Sequence, residues 1–155
     1  MNFDEWLITI PIEITNDPLW NMKVYRLSLF VSDLGWFDVS KLVKDKRTLK
    51  LSDQLYRSLG SISANIVEGY SRSSGRDQAR FYEYALGSAR ESRDWYYKGR
   101  HIQGTETANH RISLLSQIIR LLLTIIPRQR NYQVSDPYKE YNTNIEKLLE
   151  NVPIP

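Results

Sequence analysis

The chain has 155 residues, enough for one domain with its own core, and 41% hydrophobic with 25% charged residues is an ordinary globular balance. It contains no cysteine, which excludes disulfides, thiolate metal sites and cysteine nucleophiles. The net charge of +3 is small, but seven basic and four acidic residues fall between Arg72 and Arg100, an excess equal to that of the whole chain.

The N-terminus carries Asp4 and Glu5 where a signal peptide needs basic residues. No apolar run approaches the ~20 residues needed to cross a bilayer. A soluble cytoplasmic protein is expected. Residues 1–16 alternate Ile8, Ile10, Ile12 and Ile14 around Pro11, the pattern of an extended N-terminal arm.

Asp17-Pro18 reads as a helix start, with Asp as cap and Pro in the first turn. Trp20, Val24, Leu27, Val31 and Leu34 follow at the spacing of a packed seam, and Gly35 is the expected C-terminal cap. Residues 36–48 then form a connection with a helical turn near Val39–Val43. The second helix starts near Lys50 and carries Leu51, Leu55, Leu59, Ile62 and Ile66 on one face. Ser58 to Val67 contains no charge, and a second stripe of Gln54, Ser58, Ser61, Asn65 and Glu68 runs beside the apolar one. That stripe is either a solvent face or a close helix–helix contact. Its small residues favour the contact.

Ser71–Gly75 breaks the chain, and Ser74 with Asp77 has the spacing that caps a third helix. Gln78, Phe81, Tyr82, Ala85, Ser88, Ala89, Ser92 and Tyr96 point inward. Arg76, Arg80, Glu83, Gly87, Arg90, Asp94 and Lys98 point outward. Gly99–Gly104 is the next expected break, with Thr105 capping a fourth helix. Two apolar seams run side by side along it, Ile112–Leu115–Ile119–Leu122–Ile126 and Leu114–Ile118–Leu121–Ile125, before Pro127 ends it. Four helices with short connections imply an all-α antiparallel up-and-down four-helix bundle over residues 17–127. Residues 128–155 add a linker and a short helix from Asp136-Pro137, carrying Tyr138, Tyr141, Ile145, Leu148 and Val152. Such a helix must dock, on its own subunit or on a neighbour.

Catalytic and cofactor motifs are missing. His101 and His110 lack metal-ligand spacing and adjacent acids, so both are expected to be surface histidines. Glu68 and Glu91 fall on neighbouring helices but lack the Glu-x-x-His motifs of di-metal sites. No enzyme, metal or cofactor is expected. Arg72, Arg76, Arg80 and Arg100, interleaved with Tyr70, Tyr82, Tyr84, Tyr96 and Tyr97, instead form the candidate surface for RNA or single-stranded nucleic acid.

Ser61-Ile-Ser-Ala-Asn65-Ile-Val-Glu68-Gly69-Tyr70-Ser-Arg72, followed by Arg80-Phe81 and Ala85-Leu86-Gly87-Ser88-Ala-Arg-Glu91, resembles one family. It is similar to the four-helix-bundle proteins encoded in intervening sequences of bacterial 23S rRNA genes, also labelled S23 ribosomal proteins. Ser63 stands where that motif has proline, Val67 where it has alanine and Ser71 where it has glycine. The resemblance spans residues 17–127. It implies a homopentameric ring, a fold shared with the nucleic-acid-binding accessory proteins of diversity-generating retroelements, and no settled activity. The positions Arg57, Asn65, Glu68, Arg72 and Glu91 match its motifs. With Ser58 and Ser61, all but Arg72 are expected as buried polar or interface residues, a structural role being preferred to a functional one. A scaffold that binds only protein is the alternative function.

Overall fold

The computed structural model of the chain describes residues 2–130 and 145–154. Every regular element in it is helical, and no strand occurs among the described residues. Helices α1 (Phe3–Leu7) and α2 (Ile12–Thr15) and a 3-10 turn (Pro18–Asn21) precede four long helices. These are α3 (Lys23–Leu42), α4 (Leu49–Tyr70), α5 (Gly75–Gln103) and α6 (Thr105–Gln129); a short α7 (Ile145–Glu150) follows.

The N-terminal arm is helical where the isoleucine alternation suggested an extended segment. Asn2 accepts from Glu5 N while Glu5 accepts from Asn2 N, so both ends of a capping box close around α1. Trp6 is 1% exposed and stacks among Phe3, Trp20 and Phe30. The alternating isoleucines divide differently: Ile10 packs on the core, whereas Ile8, Ile12 and Ile14 are exposed. Trp6 docks this arm together with Phe3, Leu7 and Ile10, which pack with it on the core.

Five expected helix boundaries lie elsewhere. Asp17 caps the 3-10 turn by accepting from Leu19 N, and α3 begins five residues later than that turn does. Gly35 lies inside α3, where a Cβ would come within 2.5 Å of Leu59 Cδ1; it lets α3 and α4 approach rather than ending α3. Gly99 is likewise buried inside α5, beside Leu42 and Leu51. Gly104 alone makes the turn into α6, with φ of 94°, a backbone state that favours glycine. Thr105 is therefore the first residue of α6 and not its cap. Pro127 sits within the last turn of α6, which continues to Gln129.

Each long helix runs antiparallel to the next. Leu51 meets Gly99 near one end of α4, and Ser58 receives a hydrogen bond from Ser92 further along. Arg93 reaches Ser116, and Arg130 pairs with Glu83 near the other end of α5 and α6. The Thr48 hydroxyl donates to Leu42 O and ties the start of α4 to the end of α3. The core is filled by Leu27, Phe30, Leu34, Leu55, Leu59, Ile62 and Ile66 with Leu114, Ile118 and Leu122. Contrary to the sequence expectation, α6 is long and apolar enough by length and composition to cross a bilayer. Yet much of its apolar surface is covered by its neighbours, and it carries a fully buried arginine.

On the second stripe of α4, Ser58 is buried, Ser61 and Asn65 are half-buried, and Gln54 and Glu68 are exposed. Of the seams on α6, Leu121 and Ile125 remain half-buried while Leu114 and Ile118 are fully covered. Residues Ile145, Leu149 and Val152 of the C-terminal segment pack on the core of the same chain. The expected start at Asp136-Pro137, with Tyr138 and Tyr141, lies outside the described residues.

Candidate functional site

The end of α4 and the start of α5 bring three of the four candidate arginines together. Ser74 caps α5 by accepting from Asp77 N and donating to Asp77 Oδ2, and Gln78 Nε2 donates to Arg72 O across the break. These bonds fix the hairpin that carries the basic residues. Arg72 is held by an ion pair with Glu68 one turn earlier and lies 4.7 Å from the Phe81 ring centre. Arg80 lies 5.8 Å from the same ring and 5.9 Å from the ring of Tyr84. Phe81 and Tyr84 meet edge to face at 5.7 Å. Arg76, Tyr70 and Tyr84 are exposed beside them.

This arrangement offers guanidinium groups with aromatic faces in one place. Cation–π contact holds the Arg72 and Arg80 side chains over a ring at a cost below that of ordering them free in water. Arg100 is not part of the cluster. It stacks 4.0 Å from Tyr97 and donates to Tyr97 O, twenty positions along α5 from Arg80; at the helical rise that is about 30 Å. Tyr82 and Tyr96 are buried and present no ring to a ligand.

The remaining motif positions separate. Ser58 is buried within its own chain against Ser92. Ser61 donates to Arg57 O, and Asn65 donates to Ser61 O. Arg57, Glu68 and Glu91 are exposed: Arg57 faces Asp53 at 3.9 Å, Glu68 holds Arg72, and Glu91 accepts from Trp95 Nε1. They are therefore not buried polar groups within the chain. Glu68 and Glu91 do not form a carboxylate pair, and no metal-competent group of acids and histidines gathers among the described residues.

A second polar cluster had no place among the sequence candidates. Arg111 on α6 is 0% exposed and pairs with Asp38 of α3, Nε to Oδ2 at 2.8 Å and Nη2 to Oδ1 at 3.2 Å. The Tyr96 hydroxyl of α5 donates to the same Asp38 Oδ2 at 2.7 Å. Burial raises the Tyr96 pKa well above its ordinary value, with the Asp38 charge adding to the shift, so that proton stays in place. His110 is not a surface residue but 7% exposed, with Nδ1 2.9 Å from Arg111 Nη1 and Nε2 at Leu148 O. A carbonyl can only accept, so the partners assign the proton to Nε2 and leave Nδ1 as the acceptor for Arg111. Arg111 Nη2 completes the set by donating to Pro153 O.

Burial lowers the His110 pKa, and the Arg111 charge adds to this against the opposing influence of Leu148 O and Asp38. The folded protein therefore binds that proton less readily than the unfolded chain. This stabilisation is complete above the ordinary value of 6.5 and is lost as pH falls below it, through the depressed folded value. In a His101→Gln background, the urea midpoint should fall between pH 7.5 and 5.5. An unchanged midpoint over that range would contradict the buried neutral imidazole.

The family described as 23S rRNA-intervening sequence protein matches residues 21–126. A crystal structure of a protein with unknown function from the S23 ribosomal protein family of Bacteroides thetaiotaomicron VPI-5482 is similar, with a TM-score of 0.62 and 27% sequence identity. The likeness covers 66% of this chain and 97% of that one. No curated protein matches. The family match leaves out α1, α2 and the C-terminal segment, and includes Asp38, Arg111 and the Arg72–Arg80 hairpin.

Proposed function

The chain belongs to the 23S rRNA-intervening sequence protein family, and from that premise we propose that it is a non-enzymatic cytoplasmic four-helix bundle that binds RNA or single-stranded nucleic acid. The observation that carries this reading is the convergence of Arg72 and Arg80 on Phe81, beside exposed Arg76, Tyr70 and Tyr84. Guanidinium groups neutralise phosphates, and exposed aromatic faces stack unpaired bases. Duplex RNA offers the phosphates but not the free bases. Arg100 with Tyr97 is a second, isolated point of the same chemistry.

Replacing Arg76 and Arg80 together by Glu should abolish binding to a single-stranded RNA oligonucleotide and leave the circular dichroism of the helices unchanged, because both side chains are exposed. Equal affinity for the variant and the parent chain would favour the scaffold reading instead. One observation supports that second reading: Trp36, Phe37 and Tyr56 are all exposed on α3 and α4, with Trp36 and Tyr56 in edge contact at 6.1 Å. Clustered exposed aromatics are what a protein partner covers.

Assembly into a homo-oligomer, a pentameric ring by family resemblance, is part of the same proposal. Half-buried Ser61 and Asn65 on α4, and half-buried Leu121 and Ile125 on α6, are the surfaces a neighbour would cover. Ser61→Glu would place a carboxylate in that contact and should give helical monomers where the parent chain runs as an oligomer in light scattering, at a cost of several kcal/mol per interface. A parent chain that is monomeric at tens of micromolar would remove the ring from the account.

A further inference from the structure

The C-terminal segment is held differently from the long helices. None of its residues in α7 is buried, whereas His110 and Arg111 beneath it are. The two side chains that anchor it read main-chain carbonyls, Leu148 O and Pro153 O, which any peptide offers at some register. Apolar specificity comes from Ile145 and Leu149, one turn apart on one face of α7, and from Val152 just beyond its end, all packed on the core. At six residues, α7 is too short to hold helical form alone, so its order depends on docking.

Below the segment the site is built independently of it. Arg111 is oriented by two bonds to Asp38, which is itself fixed by Tyr96. His110 is fixed in one tautomer by Arg111. When the segment lifts, His110 Nε2 loses its carbonyl acceptor and Arg111 Nη2 keeps only Asp38 Oδ1, while the core residues under Ile145, Leu149 and Val152 are uncovered. An occupant that offers main-chain carbonyls and apolar side chains together restores both kinds of contact.

We infer that this end of the molecule is a binding site for a short amphipathic peptide, filled in cis by residues 145–154 and able to accept the same segment from a second copy of the chain. Its resident segment is an exchangeable ligand and not a fixed part of the core. A tethered ligand competes at an effective concentration of order 1 mM, so exchange becomes visible when free segment exceeds that level. The inference is independent of nucleic-acid binding.

The test uses the full chain, labelled with nitrogen-15, and an unlabelled synthetic peptide of residues 145–155. At about 10 mM peptide, the amide signals of residues 145–154 in the labelled chain should move to random-coil positions. Those around His110 should keep their occupied positions. A peptide carrying Leu149→Asp should produce neither change. In a full chain carrying Leu149→Asp the resident competitor is weakened, and the unmodified peptide should bind at a concentration at least about ten times lower. Resident signals that stay docked at that peptide concentration, or that are random-coil from the start, would overturn the proposal. Equal peptide affinity for the two chains would overturn it as well.

Discussion

Asp38→Ala should destabilise the fold by about 3–5 kcal/mol, because it leaves a charged guanidinium with no counter-charge in the interior. Arg111 is 0% exposed and cannot turn to solvent without carrying His110 and Pro153 O with it. Tyr96 would lose the acceptor for its hydroxyl at the same time. Asp38→Asn should cost less, since its amide oxygen still accepts from one of these donors. Exposed pairs give the contrast: Arg57→Ala removes the contact with Asp53, where both side chains are largely in water, and should change stability by less than about 0.5 kcal/mol. Chemical denaturation measures all three. A loss below about 1 kcal/mol for Asp38→Ala would mean that Arg111 finds water or another partner.

Trp6→Ala should cost a comparable amount, about 3–5 kcal/mol for a fully packed indole. The ring is stacked on Phe3 at 5.4 Å and lies 5.2 Å from Phe30, while Nε1 donates to Asp33 Oδ2 at 2.6 Å. Removing it takes away the only buried side chain of α1. The N-terminal arm should then detach, uncovering Phe30, and the near-ultraviolet circular dichroism from the aromatic cluster should collapse. Retention of that signal, with stability unchanged, would show that the arm contributes nothing to the core.

The long helices were legible because their apolar residues recur at helical spacing: Leu55, Leu59, Ile62 and Ile66 are all buried as their positions require. Helix ends were less legible, because glycine has two uses. Gly35 and Gly99 look like terminators in sequence, yet both sit inside helices where a neighbouring side chain passes close. Only Gly104, with its positive φ, turns the chain. Nothing local distinguishes these cases, since the distinction depends on what packs across from each glycine.

The buried charge pair did leave a trace. Continuing the seam of Leu27, Val31 and Leu34 by four residues arrives at Asp38, and stepping back three from Leu114 arrives at Arg111. An acid on one apolar seam and a base on another are the signature of a buried pair. A helix ending at Gly35 would cut the seam before Asp38, whereas α3 runs on to Leu42. His110 reads as a surface residue in sequence because one of the partners that cover it, Leu148 O, lies 38 residues away. The basic residues cluster along the sequence, but helix geometry divides them. Arg72 and Arg80 share a ring, while Arg100 lies at the far end of α5.

The claim that the Arg72–Arg80 hairpin engages nucleic acid is tested most directly by the salt dependence of binding. Fluorescence anisotropy of a labelled single-stranded RNA between 50 and 200 mM potassium chloride would supply it. Three phosphate contacts from Arg72, Arg76 and Arg80 predict a slope of about −2 per subunit in the logarithm of affinity against the logarithm of salt concentration. The Arg76→Glu/Arg80→Glu chain should show no measurable binding at any salt in that range. Affinity that does not change with salt, or a variant that binds as tightly as the parent, would contradict the account.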